Sequence, residues 1–206
     1  MDFINRIVVF LFFFLLLLGC KKENDTPPGE GVCLSFACLN CRDIEVSGCT
    51  DNKRDVQERF LLSVIGPEVD ADPSVEQQIR EHLMKQNGID YSKGSALWHI
   101  RYCDKVCESI SISASTRLFD VDAGNDLSDY FTIEYSNEPF LLDKDNKLVG
   151  QLEFGTTIKE YLSLKTKMLP SMELRMRHND CLLSGVTFEF IVSLEDGTIL
   201  SSFCNL

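Results

Sequence analysis

The chain has 206 residues, of which 44% are hydrophobic, and its 32 acidic against 20 basic side chains give a formal net charge of −12. So acidic a chain lacks the basic footprint that supplies most nucleic-acid affinity, and its charge gives it no attraction for anionic lipid. Nine cysteines point to an oxidising compartment, where disulfides persist.

Ile7 to Leu18 is one unbroken apolar run behind Arg6, with Asp2 weakening the positive start. A membrane-spanning helix needs about 20 such residues, whereas a secretory signal needs roughly 7–15. Leu17-Leu18-Gly19-Cys20, followed at once by Lys21-Lys22-Glu23-Asn24-Asp25, resembles a bacterial lipobox. The resemblance implies that residues 1–19 are a signal peptide, cut before Cys20, and that the Cys20 thiol and the new amino group are acylated. An ordinary secreted chain cut near Gly19 is the competing possibility. Each buried methylene contributes about 0.8 kcal/mol, so several acyl chains hold firmly where one anchors only marginally. The absence of Asp at position 21 implies, by the same resemblance, the outer membrane, facing either the periplasm or the cell surface. Residues 20–31 are expected to be a lipidated tether, made extended and semi-rigid by Thr26-Pro27-Pro28-Gly29.

Residues 32–206 are expected to form a single disulfide-stabilised, β-rich domain. With Cys20 acylated, Cys33, Cys38, Cys41, Cys49, Cys103, Cys107, Cys181 and Cys204 remain, an even set whose pairing is open among 105 possibilities. Cys33-x4-Cys38-x2-Cys41 has the spacing of three ligands of a [2Fe–2S] cluster. A chain exported unfolded into an oxidising envelope favours disulfides over cluster or zinc thiolates, so neither metal nor cofactor is assigned. Four cysteines crowd Val32 to Thr50, and cross-links are expected to replace a core there.

Phe60, Leu62 and Val64 alternate with Leu61 and Ser63 before Gly66-Pro67, which predicts a largely buried strand. Asp72-Pro73 opens an amphipathic helix of about four turns, with Val75, Ile79 and Leu83 spaced by four and Gly88 beyond its end. Trp98, Ile100 and Tyr102 alternate with His99 and Arg101, and Ile110 and Ile112 with serines; both read as strands with one polar face. Phe131, Ile133 and Tyr135 repeat the pattern, and Leu148, Leu152 and Phe154 suggest a further strand after the turn Asp143-Lys144-Asp145-Asn146. Thr157 to Leu164 reads as a short helix, and Met172, Leu174 and Met176 as a strand. Val186, Phe188, Phe190, Val192 and Leu194 alternate strictly, and Asp196-Gly197 joins them to Ile199–Phe203 as a type I′ hairpin. The expected fold is mainly β: an antiparallel β-sandwich with one amphipathic helix inserted, an α+β two-layer arrangement being the alternative.

Asp120-x-Asp122-x-Gly124-x-Asp126, with Asp129 following, gathers oxygen ligands in one loop but lacks the acid spacing and closing carboxylate of a calcium loop. A solvated acidic loop turned by Gly124 is the plainer expectation. In Asp143-Lys144-Asp145-Asn146-Lys147 a lysine stands where a ligand would be needed. Trp98, the single tryptophan, falls on an apolar face and is expected in the core, which removes the obvious platform for a sugar ring. His82, His99 and His178 are expected at the surface. Neither a nucleophile elbow nor a zincin motif nor a phosphate-cradling loop occurs.

The chain is thus similar to the short outer-membrane lipoproteins of Bacteroidota-type bacteria, a resemblance resting on the lipobox, the tether and the strand patterning that implies no activity. The expectation is a non-enzymatic, membrane-anchored binding or accessory module for a protein partner or a glycan, with no catalytic residue assigned and no nucleic-acid partner. The alternatives are an envelope enzyme using carboxylates of Asp120–Asp129 and a purely structural envelope component.

Overall fold

The structure is a computed structural model and describes residues 32–49, 59–88, 96–136, 140–177 and 183–206. The expected signal peptide, Cys20 and the tether lie outside the described residues, as do Cys181 and His178. In chain order the elements are β1 (Val32–Leu39), β2 (Asp43–Cys49), β3 (Arg59–Ile65), β4 (Glu68–Asp70), α1 (Pro73–Asn87), β5 (Ala96–Cys103), β6 (Cys107–Ala114), a 3-10 turn (Ser128–Tyr130), β7 (Phe131–Tyr135), β8 (Phe140–Leu142), β9 (Leu148–Gln151), β10 (Thr156–Thr157), α2 (Ile158–Ser163), β11 (Ser171–Met176), β12 (Thr187–Leu194) and β13 (Ile199–Asn205).

The protein is mainly β and sandwich-like, as the alternation predicts. A five-stranded antiparallel sheet, ordered β10-β7-β11-β3-β2, faces a three-stranded antiparallel sheet, β13-β12-β6. Because successive side chains point to opposite faces, Phe60, Leu62, Phe131, Ile133, Met172 and Leu174 of the first meet Ile110, Ile112, Phe188, Phe190 and Val192 of the second in one buried core. Phe60 sits at its centre, with ring centroids 5.0 Å from Phe188, 5.2 Å from Phe190 and 5.8 Å from Phe131, all tilted as aromatic quadrupoles prefer. At one margin of the sandwich the Val46 amide donates to Ser202 Oγ at 3.2 Å, linking β2 to β13.

A third sheet, β4-β1-β5, lies under α1. Here β1 and β5 run parallel through eight matched residues, from Val32↔Ala96 to Leu39↔Cys103, which departs from the all-antiparallel expectation. Alternation encodes the face of a side chain but not the direction of the neighbouring strand. The long connection through β2, β3, β4 and α1 makes the parallel crossover possible. α1 starts and stops as its sequence predicts: Asp72 accepts from the Ser74 amide at 2.8 Å, Pro73 occupies the first turn, and Gly88 closes the helix at φ 67°, its amide donating to the Met84 carbonyl at 2.8 Å. Val75, Ile79 and Leu83 pack on Leu34, Cys38, Ile100 and Tyr102 in a second, smaller core.

The two cores share one bent ribbon. β1 pairs with β4 and β2 with β3, so residues 32–49 and 59–70 form two paired strands that turn a corner together at 40–42 and 66–67. The Asn40 amide donates to the Pro67 carbonyl and the Arg42 amide to the Ile65 carbonyl, each at 3.1 Å. Gly66 is required there: a Cβ on it would stand 1.8 Å from the Asn40 carbonyl oxygen. The segment expected to be held by cross-links is therefore built from strands with buried Leu34, Ala37, Leu39, Ile44 and Val46. Its apolar residues are few, but two partner layers bury them.

Two local expectations change. Between β12 and β13 only Gly197 is left-handed, at φ 81°, and its amide donates to the Leu194 carbonyl at 2.9 Å. The connection is thus a type I turn closed by a left-handed glycine rather than a type I′ turn, which would need Asp196 at positive φ as well. Phe154, expected on a strand, lies instead in the turn between β9 and β10.

Candidate functional site

Where the two cores meet, β8 sends Leu141 into the larger and Leu142 into the smaller. Beside this junction a groove of about 750 Å³ is lined by β9 (Val149, Gly150, Gln151), the following turn, Thr156 of β10, and Glu160, Ser163 and Leu164 of α2 and its end. β9 pairs with β8 alone among the described residues, and β10 stands at the edge of the five-stranded sheet, so the groove is walled by strands at which sheets end.

Its walls are held rigidly. Gly155, at φ 78°, reverses the chain while its amide donates to the Ile133 carbonyl at 3.0 Å, and Thr156 Oγ1 donates to the Glu153 carbonyl at 2.7 Å. Thr157 caps α2 reciprocally: the Glu160 amide donates to Thr157 Oγ1 at 3.1 Å, and the Thr157 amide donates to Glu160 Oε2 at 2.8 Å. The hydrogen bonds from Thr157 hold the Glu160 carboxyl below the ordinary carboxylate range. Tyr161, fully buried, fixes α2 to the chain beyond it by donating to the Lys167 carbonyl at 3.1 Å and accepting from the Leu169 amide at 3.2 Å.

On this frame Phe154 projects with 77% of its surface exposed, and Val149 and Leu164 are about half exposed. Gly150 adds bare backbone, with nothing within 4 Å of where a Cβ would be. Among the described residues, two carboxylates and no basic side chain line the groove. The groove thus combines apolar anchors, accessible main chain at Gly150 and a carboxylate, Glu160, held in place by Thr157. The signal available in the sequence is the glycine directly after Phe154, which ends the strand at a turn: Gly155 takes φ 78°.

The residues singled out from sequence are dispersed. Asp126 Oδ1 accepts from the Ile112 amide at 3.0 Å, the Ser128 amide at 3.1 Å and Ser111 Oγ at 3.1 Å, while Oδ2 accepts from Ser128 Oγ at 2.7 Å. Burial pushes its pKa up, but these hydrogen bonds outweigh it and the net shift is downward. Asp120 and Asp122 face Arg117 at 3.3 and 3.7 Å. Asp120, Asp122 and Asp126 thus face separate protein donors, while Asp129 stands in the 3-10 turn that follows. Gly124 turns the loop at φ 80°, as expected. In the second acidic turn, Asp143 Oδ1 accepts from the Asp145 and Lys147 amides at 2.9 Å, and Asn146 Nδ2 donates to Asp72 Oδ2 at 3.0 Å, docking the turn on α1.

Trp98 is a correction: it is 55% exposed. It does share the face of Ile100 and Tyr102, paired with Leu34 across to β1, but the small core under α1 does not extend to it. On the opposite face of the same sheet, Ser35 Oγ lies 2.9 Å from His99 Nδ1, and His99 Nε2 lies 3.1 Å from Glu68 Oε2. This serine–histidine–glutamate chain joins three strands, although the His99 and Glu68 side chains are nearly half exposed and water competes for both bonds. His82 stands edge-on to Phe140.

Cys33, Cys38, Cys41, Cys103 and Cys107 are free thiols in the structure; the Cys49 side chain and Cys181 lie outside the described residues. The period of two sends Cys33 and Cys38 to opposite faces of β1, so the three-cysteine cluster spacing does not converge on one point. Cys41, Cys103 and Cys107 are buried in the larger core, where desolvation first of all pushes the Cys103 and Cys107 thiols up, the latter to about 12, and favours the neutral form.

No protein-family model, curated protein or solved structure matches the chain.

Proposed function

We propose that the protein is a lipid-anchored envelope protein whose groove between β9 and α2 binds an extended segment of a partner polypeptide. The observation that carries this is Phe154, held out at the rim of a rigid groove that offers bare backbone at Gly150. An extended segment suits a groove walled by strands at sheet ends, because its main chain can add hydrogen bonds while an alternate side chain packs on Phe154, Val149 and Leu164. The acids Glu153 and Glu160 favour a segment that is neutral or basic. Lipidation of Cys20 would place the groove at the membrane surface, and Cys20→Ser should release the protein from the membrane fraction.

The test is a photo-cross-linking amino acid at position 154 in intact cells. A discrete protein adduct is expected, and it should disappear with Gly150→Val, whose side chain enters open groove space without disturbing its neighbours. An adduct unaffected by Gly150→Val, or none above that of a probe at exposed Lys144, would overturn the groove. The exposure of Trp98 favours a second reading, a glycan stacked on its ring. As the single tryptophan, its fluorescence reports that event alone, and an unchanged spectrum with neutral oligosaccharides would remove the glycan reading.

A further inference from the structure

The corner of the bent ribbon brings Cys41 against the end of β5. Leu39 is matched with Cys103 in the parallel pair, the Asp104 amide donates to the Leu39 carbonyl at 3.0 Å, and the Cys41 amide donates to Asp104 Oδ1 at 3.1 Å. These bonds position the two residues on either side of one backbone junction, and the Cys41 thiol points to the carbonyl of Leu39, the residue matched with Cys103, at 3.9 Å. Both are closed off, Cys41 at 2% and Cys103 at 0% exposure. The rival partners are less well placed: Cys107 turns its thiol to the Ser109 carbonyl at 3.8 Å, and Cys38 belongs to the core under α1.

We propose that Cys41 and Cys103 are joined as a disulfide in the exported protein, pinning the Asn40–Arg42 corner to β5 and so tying the two cores together. This is independent of what the groove binds. The step is thiol–disulfide exchange with an external disulfide, either an oxidised dithiol protein or oxidised glutathione. One cysteine thiolate attacks that disulfide, expelling one thiolate and leaving a mixed disulfide. The second cysteine, giving up its proton to solvent, displaces the other thiolate. Two electrons pass to the oxidant, which leaves as two thiols. Because both thiols are shielded once the core closes, exchange must precede closure, and the finished bond is then protected from reductant.

The experiment uses the full chain isolated from the envelope of an expression host, unfolded, alkylated without reductant, digested with trypsin and mapped by fragmentation mass spectrometry. Cleavage after Arg101 and Lys105 isolates Cys103 from Cys107, and fragmentation assigns the cysteine within the peptide that carries Cys33, Cys38 and Cys41. The expected product is a cross-linked pair of peptides joined between Cys41 and Cys103, intact after the folded protein has been treated with glutathione. Alkylation of both residues, or a bond from Cys41 to Cys107 or Cys38, overturns the pairing. As a second measurement, Cys41→Ser and Cys103→Ser should lower the melting temperature equally, and the double substitution no further; additive losses would mean two separately packed thiols.

Discussion

The sandwich core and the core beneath α1 arise from the same alternation of apolar residues, yet they differ in closure. In the sandwich, Phe60, Phe131, Phe188 and Phe190 are all fully buried between two sheets. Under α1 one helix covers one face of a narrow sheet; Val75 and Ile79 are fully buried, while Trp98 on the same sheet face stays half in water. The difference teaches that a face closed from both sides is consumed by stability, whereas a one-sided layer leaves edges and rims available. The exposed aromatic residues Phe154 and Trp98 both lie outside the sandwich interior.

The largest test of this contrast is Phe60→Ala, expected to cost about 4 kcal/mol and to lower the urea midpoint of the whole chain. Ile79→Ala, made in the smaller core, should cost about 2 kcal/mol, because a helix on one face relaxes more readily. Its hydrogen exchange should quicken within Pro73–Asn87 while β12 stays protected. Equal global loss from both substitutions would show that the cores unfold as one and break the contrast.

The corner joining them is the next test. Gly66→Ala forces a Cβ into the Asn40 carbonyl, so the ribbon must part or unbend, with an expected loss of about 3 kcal/mol. A melting temperature close to the parent's would refute the close approach. Gly197→Val acts only at a hairpin end, where positive φ strains a β-branched residue; about 1–2 kcal/mol is expected, with no change in the groove cross-link.

The smallest effect concerns the Asp196 carboxylate beside that same turn. Lys105 Nζ lies 2.7 Å away and the Thr198 amide donates at 3.0 Å, so its pKa is held well below the ordinary 3.8 and that of Lys105 is raised above 10.5. A depressed folded-state pKa contributes stability that is complete above the unfolded value and fades as pH falls through the acid range. For Lys105 the sign reverses: its contribution is present below pH 10.5 and is lost as pH rises beyond it. Asp196→Asn should therefore flatten the acid limb of the melting temperature slightly, a small change because the carboxylate is solvent-exposed and screened. An acid limb as steep as the parent's would leave no stabilising role for the pair.

What the sequence by itself determined is local. Asp72-Pro73 and Gly88 mark the ends of α1 because capping needs only neighbouring residues, and Phe188, Phe190 and Val192 declare a buried face because a strand's period is two. The Asp196-Gly197 turn was legible in place, though its type depended on where the chain continued. Only the tertiary structure decided that β1 and β5 run parallel, that Trp98 lies beyond the cover of α1, and that Phe154 is held outward at a groove between two cores. Cys41 and Cys103 meet for the same reason: a corner made by Gly66 brings them together from distant parts of the chain. Proximity of that kind depends on register and layer edges, which hydrophobic period does not encode.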